Sequence, residues 1–248
     1  MAIDEHKFYI ELIETVWVWS QTHAEEKFQI PFPRGAGITL SPKQHYEYSC
    51  YYWCNKLNDI FIRLKEIRAM TGRSLYRKKN EVKSVLMQEW IQYNYEHYTI
   101  VYQGILDVAL LLTNAILELG NLHRKCSYDT VCDNTKVNGT SVHRILKRIQ
   151  DTTKKHREGK NIFVHQGERI ELPIDRKTYD TVDLLNLAIR LGIEVDIDRQ
   201  LLGEFLQIVT VKEIMEIMEK ECKVIESQTE GLLTALQPSY QRIHSLYL

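Results

Sequence analysis

Apolar residues recur at helical spacing along most of the chain, and that rhythm divides it into a few long helices. Phe8, Leu12 and Val16, with Ile13 and Trp17, predict a first helix over about residues 4–27, with Asp4 as its N-cap. Pro31, Pro33, Gly35 and Gly37 end it. Ser41, Pro42 and Gln44 are the start signal of a second helix, a capping box with proline at the first helical position. Tyr46, Cys50, Trp53, Leu57, Ile60, Leu64 and Ile67 follow at alternating spacings of four and three, one face of a bundle helix that Thr71-Gly72 stops.

A third periodic run, over about residues 80–119, passes through Trp90, Tyr95, Tyr98, Val101, Ile105, Val108, Leu112 and Ile116. It is either one bent helix or two abutting ones, with Gly104 at a kink or close crossing and Gly120-Asn121 at the end. Residues 121–138 read as a polar loop. Ser141 caps the next helix, whose Val142, Ile145, Leu146 and Ile149 face inward. After Gly167 comes a connector over 168–180 with Pro173 and a short extended segment at 169–172. Helices are predicted over about 181–191 and 198–208. A last one runs from Thr210, in a capping box with Glu213, to about Leu236, where Pro238 ends it. The pattern gives an all-α fold: a long antiparallel helical bundle over 1–167, with a helical C-terminal extension over 168–248 packed on it as one compact unit.

Composition agrees with a folded core, since 44% of the 248 residues are apolar. Lys+Arg 32 and Asp+Glu 33 nearly cancel, so bulk charge selects neither nucleic acid nor membrane as a partner. Local charge is more informative. Residues 61–83 hold eight Lys/Arg against two Glu, among them Arg73, Arg77, Lys78 and Lys79. Residues 144–160 hold seven against Asp151 and Glu158, among them Arg144, Lys147, Arg148, Lys154 and Lys155. These are candidate phosphate contacts and equally the solvated faces of helices. Over residues 168–236 acids outnumber bases fifteen to eight. The most apolar run, 105–119, is broken by Asp107 and Asn114 and falls short of the roughly 20 residues of a membrane span, so it reads as a buried helix and no membrane partner is expected. Acidic residues at Asp4 and Glu5, with no apolar stretch after them, are unlike a secretory leader. Five scattered cysteines point to cytoplasmic thiols: Cys50 and Cys54 as core residues, Cys126 and Cys132 flanking a polar loop.

None of the nine histidines has a glutamate three residues before it or another histidine three or four away. A di-iron or helical zinc site therefore lacks its ligands, and no metal or cofactor is expected. The glycine patterns of phosphate loops, dinucleotide folds and serine hydrolases are missing as well.

One short constellation remains, Lys160-Asn161-Ile162-Phe163-Val164-His165-Gln166-Gly167. On a helix Arg157, Asn161 and His165 share a stripe, with Lys160 beside it. A cation, an amide and an imidazole together suit a phosphodiester: one neutralises it, one orients it, and one moves a proton. RNA supplies its own nucleophile, the 2′-hydroxyl, so no metal is needed. The bland reading is a helix end whose Lys and His complement the dipole and whose glycine closes the turn.

The stretch resembles the motif of the HEPN superfamily: Arg, a polar residue that is often Asn, and His after four to six intervening residues, near the end of a bundle helix. Here it reads Lys-Asn-x-x-x-His, so lysine stands where the family has arginine, keeping the charge without the planar two-pronged grip on phosphate. Arg157 precedes His165 by eight residues, outside the family spacing. The resemblance covers about residues 41–167 and implies a homodimer that binds RNA or cleaves it as a metal-independent endoribonuclease. In that reading His165 is general acid or base, Lys160 or Arg157 neutralises the phosphate, and Asn161 orients it. The competing expectation is a non-catalytic helical protein whose tyrosine-rich and acidic faces bind another protein.

Overall fold

The computed structural model describes residues 3–22, 40–73, 87–174, 177, 180–181, 184–185, 187–188 and 191–247. Among them the fold is all-α, with no strand. After a 3-10 turn at Ile3–Glu5 come α1 (Lys7–Thr22), α2 (Pro42–Arg73), α3 (Met87–Ile116), the short α4 (Tyr128–Cys132), α5 (Ser141–Asn161) and α6 (Ile197–Ser245). The described residues between 177 and 188 are helical too. The chain divides into two compact units. The first is Met1–Ile60, Gly104–Thr152 and Ile225–Leu248; the second is Phe61–Gln103 and Thr153–Val224. The turn-rich residues 31–37 and the basic residues Arg77, Lys78 and Lys79 lie outside the described residues.

In the first unit α2 runs antiparallel to α3. The Tyr46 hydroxyl donates to the Ile116 carbonyl at 3.0 Å, while Gly104 lies close to Ile60. In the same way α5 opposes α6, with Gln228 donating to Thr152 at 2.9 Å and Gly231 beside Ile145. The buried stripe of α2 is Tyr46, Cys50, Cys54 and Leu57, continuing in the second unit as Phe61, Leu64 and Ile67. Cys54 and Phe61 thus take the places that spacing alone gave to Trp53 and Ile60, which are half-buried. Burial pushes the thiol of Cys50 well up, and that of Cys54 likewise. Both are free, as are Cys126, Cys132 and Cys222. The α2 capping box is present, with Gln44 N–H donating to Ser41 Oγ and Ser41 N–H to Gln44 Oε1.

α3 is a single helix. It is long and apolar enough to cross a membrane by length and composition, but Ile105, Leu106, Ala109, Leu110, Leu112 and Ile116 are all buried inside the fold. It stops short of Gly120, and the residue that turns its end is Glu118, at φ 45. A side chain other than glycine in this left-handed region costs about 1 kcal/mol. Lys136 Nζ donates to the carbonyls of Leu117 and Glu118 at 2.8 and 3.2 Å and so satisfies the helix end. Residues 121–138 are more ordered than a polar loop, because Ser127 caps α4 and Val131, Cys132 and Val137 are buried.

The C-terminal helix departs most from expectation. α6 runs unbroken through Thr210, which is buried inside it, and through Pro238. An interior proline removes one hydrogen bond and crowds the preceding turn. Beyond it, however, Tyr240 and Ile243 are buried, and Tyr240 packs on Phe8 and Tyr46 at centroid distances of 5.2 and 5.7 Å. Tertiary packing holds the helix where local preference would end it.

At the start of α1 the cap is His6, not Asp4. The N–H of Phe8 donates to His6 Nδ1 at 3.2 Å, and Nε2 lies 3.1 Å from Thr234 Oγ1. Thr234 itself donates to the Glu230 carbonyl, so the ring is neutral with its proton on Nε2. Burial holds the imidazole below its ordinary value, against the opposing pull of Glu230. The unfolded chain therefore takes up this proton first: the stability His6 contributes is intact above about pH 6.5 and is lost as pH falls from there through the folded value. His6→Asn, which caps without titrating, is expected to flatten the fall in Tm between about pH 7 and pH 5. Parallel Tm profiles for the two proteins would refute this assignment.

Candidate functional site

The candidate site belongs to the second unit, at the end of α5. The buried stripe of that helix runs Val142, Leu146 and Ile149 and then, still at spacings of four and three, Thr153 and His156. The next position in that series is Lys160, which is half-buried, whereas Arg157 and Asn161 fall on the exposed side. α5 then loosens into a π turn, Ile162–Gln166, and Gly167, at φ 69, reverses the chain. His165 stands exposed on that turn. Because π winding takes more than four residues per turn, His165 lags behind the line that an α-helix would draw through Arg157 and Asn161.

What holds the turn is on either side of it. Past Gly167 the chain comes back, and Ile170 is buried. Its carbonyl accepts from Gln92 Nε2 at 2.7 Å, and the same nitrogen donates to Glu96 at 2.8 Å. A Cβ on Gly159 would lie 3.4 Å from Ile170 and 3.5 Å from Thr99, so a glycine there lets α5 and the returning chain meet closely. The segment that carries His165 is therefore tied at both ends.

The structure thus collects Arg157, Lys160, Asn161 and His165 within one helix end and its following turn. Among the described residues no hydrogen-bonding partner is found for the His165 imidazole. Lys154 and Lys155, in the same unit, are exposed, as is Arg73 at the last described position of α2. Arg144, Lys147 and Arg148 are also exposed, and belong to the first unit. No group of three or more metal-ligating side chains occurs among the described residues.

Sequence reasoning missed the buried histidine of this helix, His156. His156 is 3% exposed, with Nε2 3.2 Å from Glu221 Oε2 and Nδ1 3.3 Å from Thr99 Oγ1. Its ring lies 4.3 Å from that of Tyr102 and 5.7 Å from that of Tyr98. The two tyrosines bond to α6: Tyr98 donates to the Met218 carbonyl at 3.1 Å and Tyr102 to that of Glu221 at 3.2 Å. Burial pushes both phenols up. This is a buried polar knot joining α3, α5 and α6, and it fixes the end of α5 from which His165 is presented. Extending the α5 stripe by two more steps would have found it.

No curated protein and no solved structure matches the chain. A family model does, that of HEPN_Cthe2314-like HEPN, over residues 46–233, which takes in most of α2, all of α3, α4 and α5, and most of α6. The match reaches well past residue 167, so α6 is part of the family's domain; by that match and by its all-helical fold, the chain belongs to the HEPN_Cthe2314-like HEPN family.

Proposed function

We propose that this HEPN protein acts on RNA as a metal-independent endoribonuclease, with His165 as the proton-transfer group. The observation that carries the reading is the placing of His165: an exposed imidazole, on a turn tied at both ends, directly following the helix end that carries Arg157, Lys160 and Asn161. In the reaction His165 takes the proton of a ribose 2′-hydroxyl. The oxygen attacks the adjacent phosphorus, the bond to the 5′-oxygen breaks, and that oxygen leaves with a proton, giving a 2′,3′-cyclic phosphate. Lys160 or Arg157 neutralises the phosphate and Asn161 orients it. A second copy of the chain would supply a second imidazole to protonate the leaving oxygen. Lys154 and Lys155 add attraction without sequence preference, so binding should weaken steeply with salt.

The test is cleavage of a single-stranded RNA in EDTA at low salt. Wild type is expected to cut and to leave cyclic phosphate ends, and His165→Ala to lose roughly 10²-fold or more of the rate. Equal rates for the two proteins would remove His165 from the chemistry. One observation favours the second reading, a non-catalytic protein-binding role: the second unit exposes Leu184, Leu191 and Phe205 at 67%, 67% and 61%. Failure of both proteins to cut or retain RNA would select it.

A further inference from the structure

Two helical stretches of the second unit show apolar side chains to solvent. The first is the helix ahead of Gly192. It is closed by N–H bonds from Leu191 to the Leu187 carbonyl and from Ile193 to that of Ala188, with Gly192 at φ 70. Leu184, Leu187 and Leu191 are exposed on it, and so is Ile193 just past the turn. A spacing of three and then four residues is the seam along which one helix packs on another. Residues 192–196 lead into α6, whose early turns expose Phe205, Ile208 and Val209, again at the offsets of one helical face. Apolar side chains gathered in this way mark a surface that another molecule covers.

Charge selects the occupant. Residues 180–209 hold six Asp/Glu against Arg190 and Arg199. Among the described side chains of that stretch the exposed charged ones are Asp180, Glu194, Asp196 and Asp198, all acidic. The nearest exposed bases described, Lys177 and Lys212, lie beyond its two ends. An RNA strand or an anionic bilayer would meet like charge here. So would a second copy presenting the same face, because a two-fold interface sets each patch against itself and its acids against one another. What fits is apolar along one side and cationic along its flanks.

We propose that this face docks a basic amphipathic helix of a partner protein. The partner's apolar stripe lies along Leu184, Leu187 and Leu191, and its Lys and Arg side chains pair with the carboxylates around them, Asp180 in the early turns of the helix and Glu194 and Asp198 past its end. Burial of the leucines supplies the affinity, and the charges choose the partner. The inference rests on the protein-binding reading for the face and adds the chemistry of what binds there. It is measured without RNA, so its failure leaves the assignment of His165 where it stands.

Fluorescence anisotropy of a labelled helical peptide, leucine on one face and lysine on the other, titrated with the full chain, tests it. Binding should fall in the micromolar range and be at least about tenfold tighter than for the same peptide with glutamate in place of lysine. Leu184→Ala combined with Leu191→Ala should weaken it by at least about tenfold. Both side chains are exposed and outside the α5 site, so this variant should melt with wild type and match its action on RNA. Glu194→Gln with Asp198→Asn should narrow the gap between the two peptides. Equal binding of the two peptides by wild type, or a gap that the neutralised variant leaves unchanged, would overturn the partner's charge. No binding, or an alanine variant that binds as tightly as wild type, would overturn the face itself. A fall in mass of the alanine variant by light scattering would show that a second copy covers the leucines, and would overturn the proposal as well.

Discussion

Replacing His156 by alanine is expected to lower stability by about 3 kcal/mol, or roughly 10 °C in Tm, while His165→Ala changes stability by no more than about 0.5 kcal/mol. The two histidines are nine residues apart near the same helix end, yet their surroundings are opposite. His156 is 3% exposed and is packed against Glu221, Thr99 and the rings of Tyr102 and Tyr98. Removing it leaves the Thr99 hydroxyl without that partner and opens a void beside two tyrosines. Emptying a packed interior of a ring this size costs about 2–5 kcal/mol, and a buried polar partner left unsatisfied about 1–3. The Glu221 side chain keeps 23% exposure and can turn to water, which holds the cost to the lower part of that range. Thermal melts of the two variants side by side decide it. If His156→Ala melts within two or three degrees of wild type, the knot is not what fixes the end of α5.

Around Pro238 two substitutions should move stability in opposite directions. Tyr240→Ala is expected to cost about 3–5 kcal/mol, because an aromatic ring packed on Phe8 and Tyr46 is replaced by a void. Pro238→Ala should instead add about 1–2 kcal/mol by restoring the missing N–H donor and removing the clash with the preceding turn, less than the full penalty since the helix has already relaxed around the ring. Denaturant midpoints measure both. A Pro238→Ala variant less stable than wild type would mean that the proline shapes the packing of Tyr240 rather than merely being tolerated by it.

The fold was legible wherever burial and periodicity coincide. The capping box at Ser41 and Gln44 and the stripe from Tyr46 to Ile67 needed only spacing, with errors of one position where two apolar residues are neighbours, as at Trp53 and Cys54. Single-residue rules failed where distant parts of the chain decide. Pro238 should stop a helix, but Tyr240 has partners on α1 and α2 that no local window contains. Asp4 has the chemistry of a cap, yet His6 takes the role because Thr234, over two hundred residues away, holds the other ring nitrogen. At the candidate site the exposed members, Arg157, Asn161 and His165, stood out as a motif. The buried one, His156, did not, because a histidine that continues an apolar stripe looks like any inward residue until Glu221 is brought against it.

The two cysteines one turn apart on α2 give the protein a chemical clock. With both sulfurs enclosed and their thiolate forms disfavoured, a reagent in solvent reaches Cys50 or Cys54 only during moments when the surrounding helices part. Their alkylation therefore counts openings of the first unit. Slow modification marks an intact interior, and fast modification an interior that opens often.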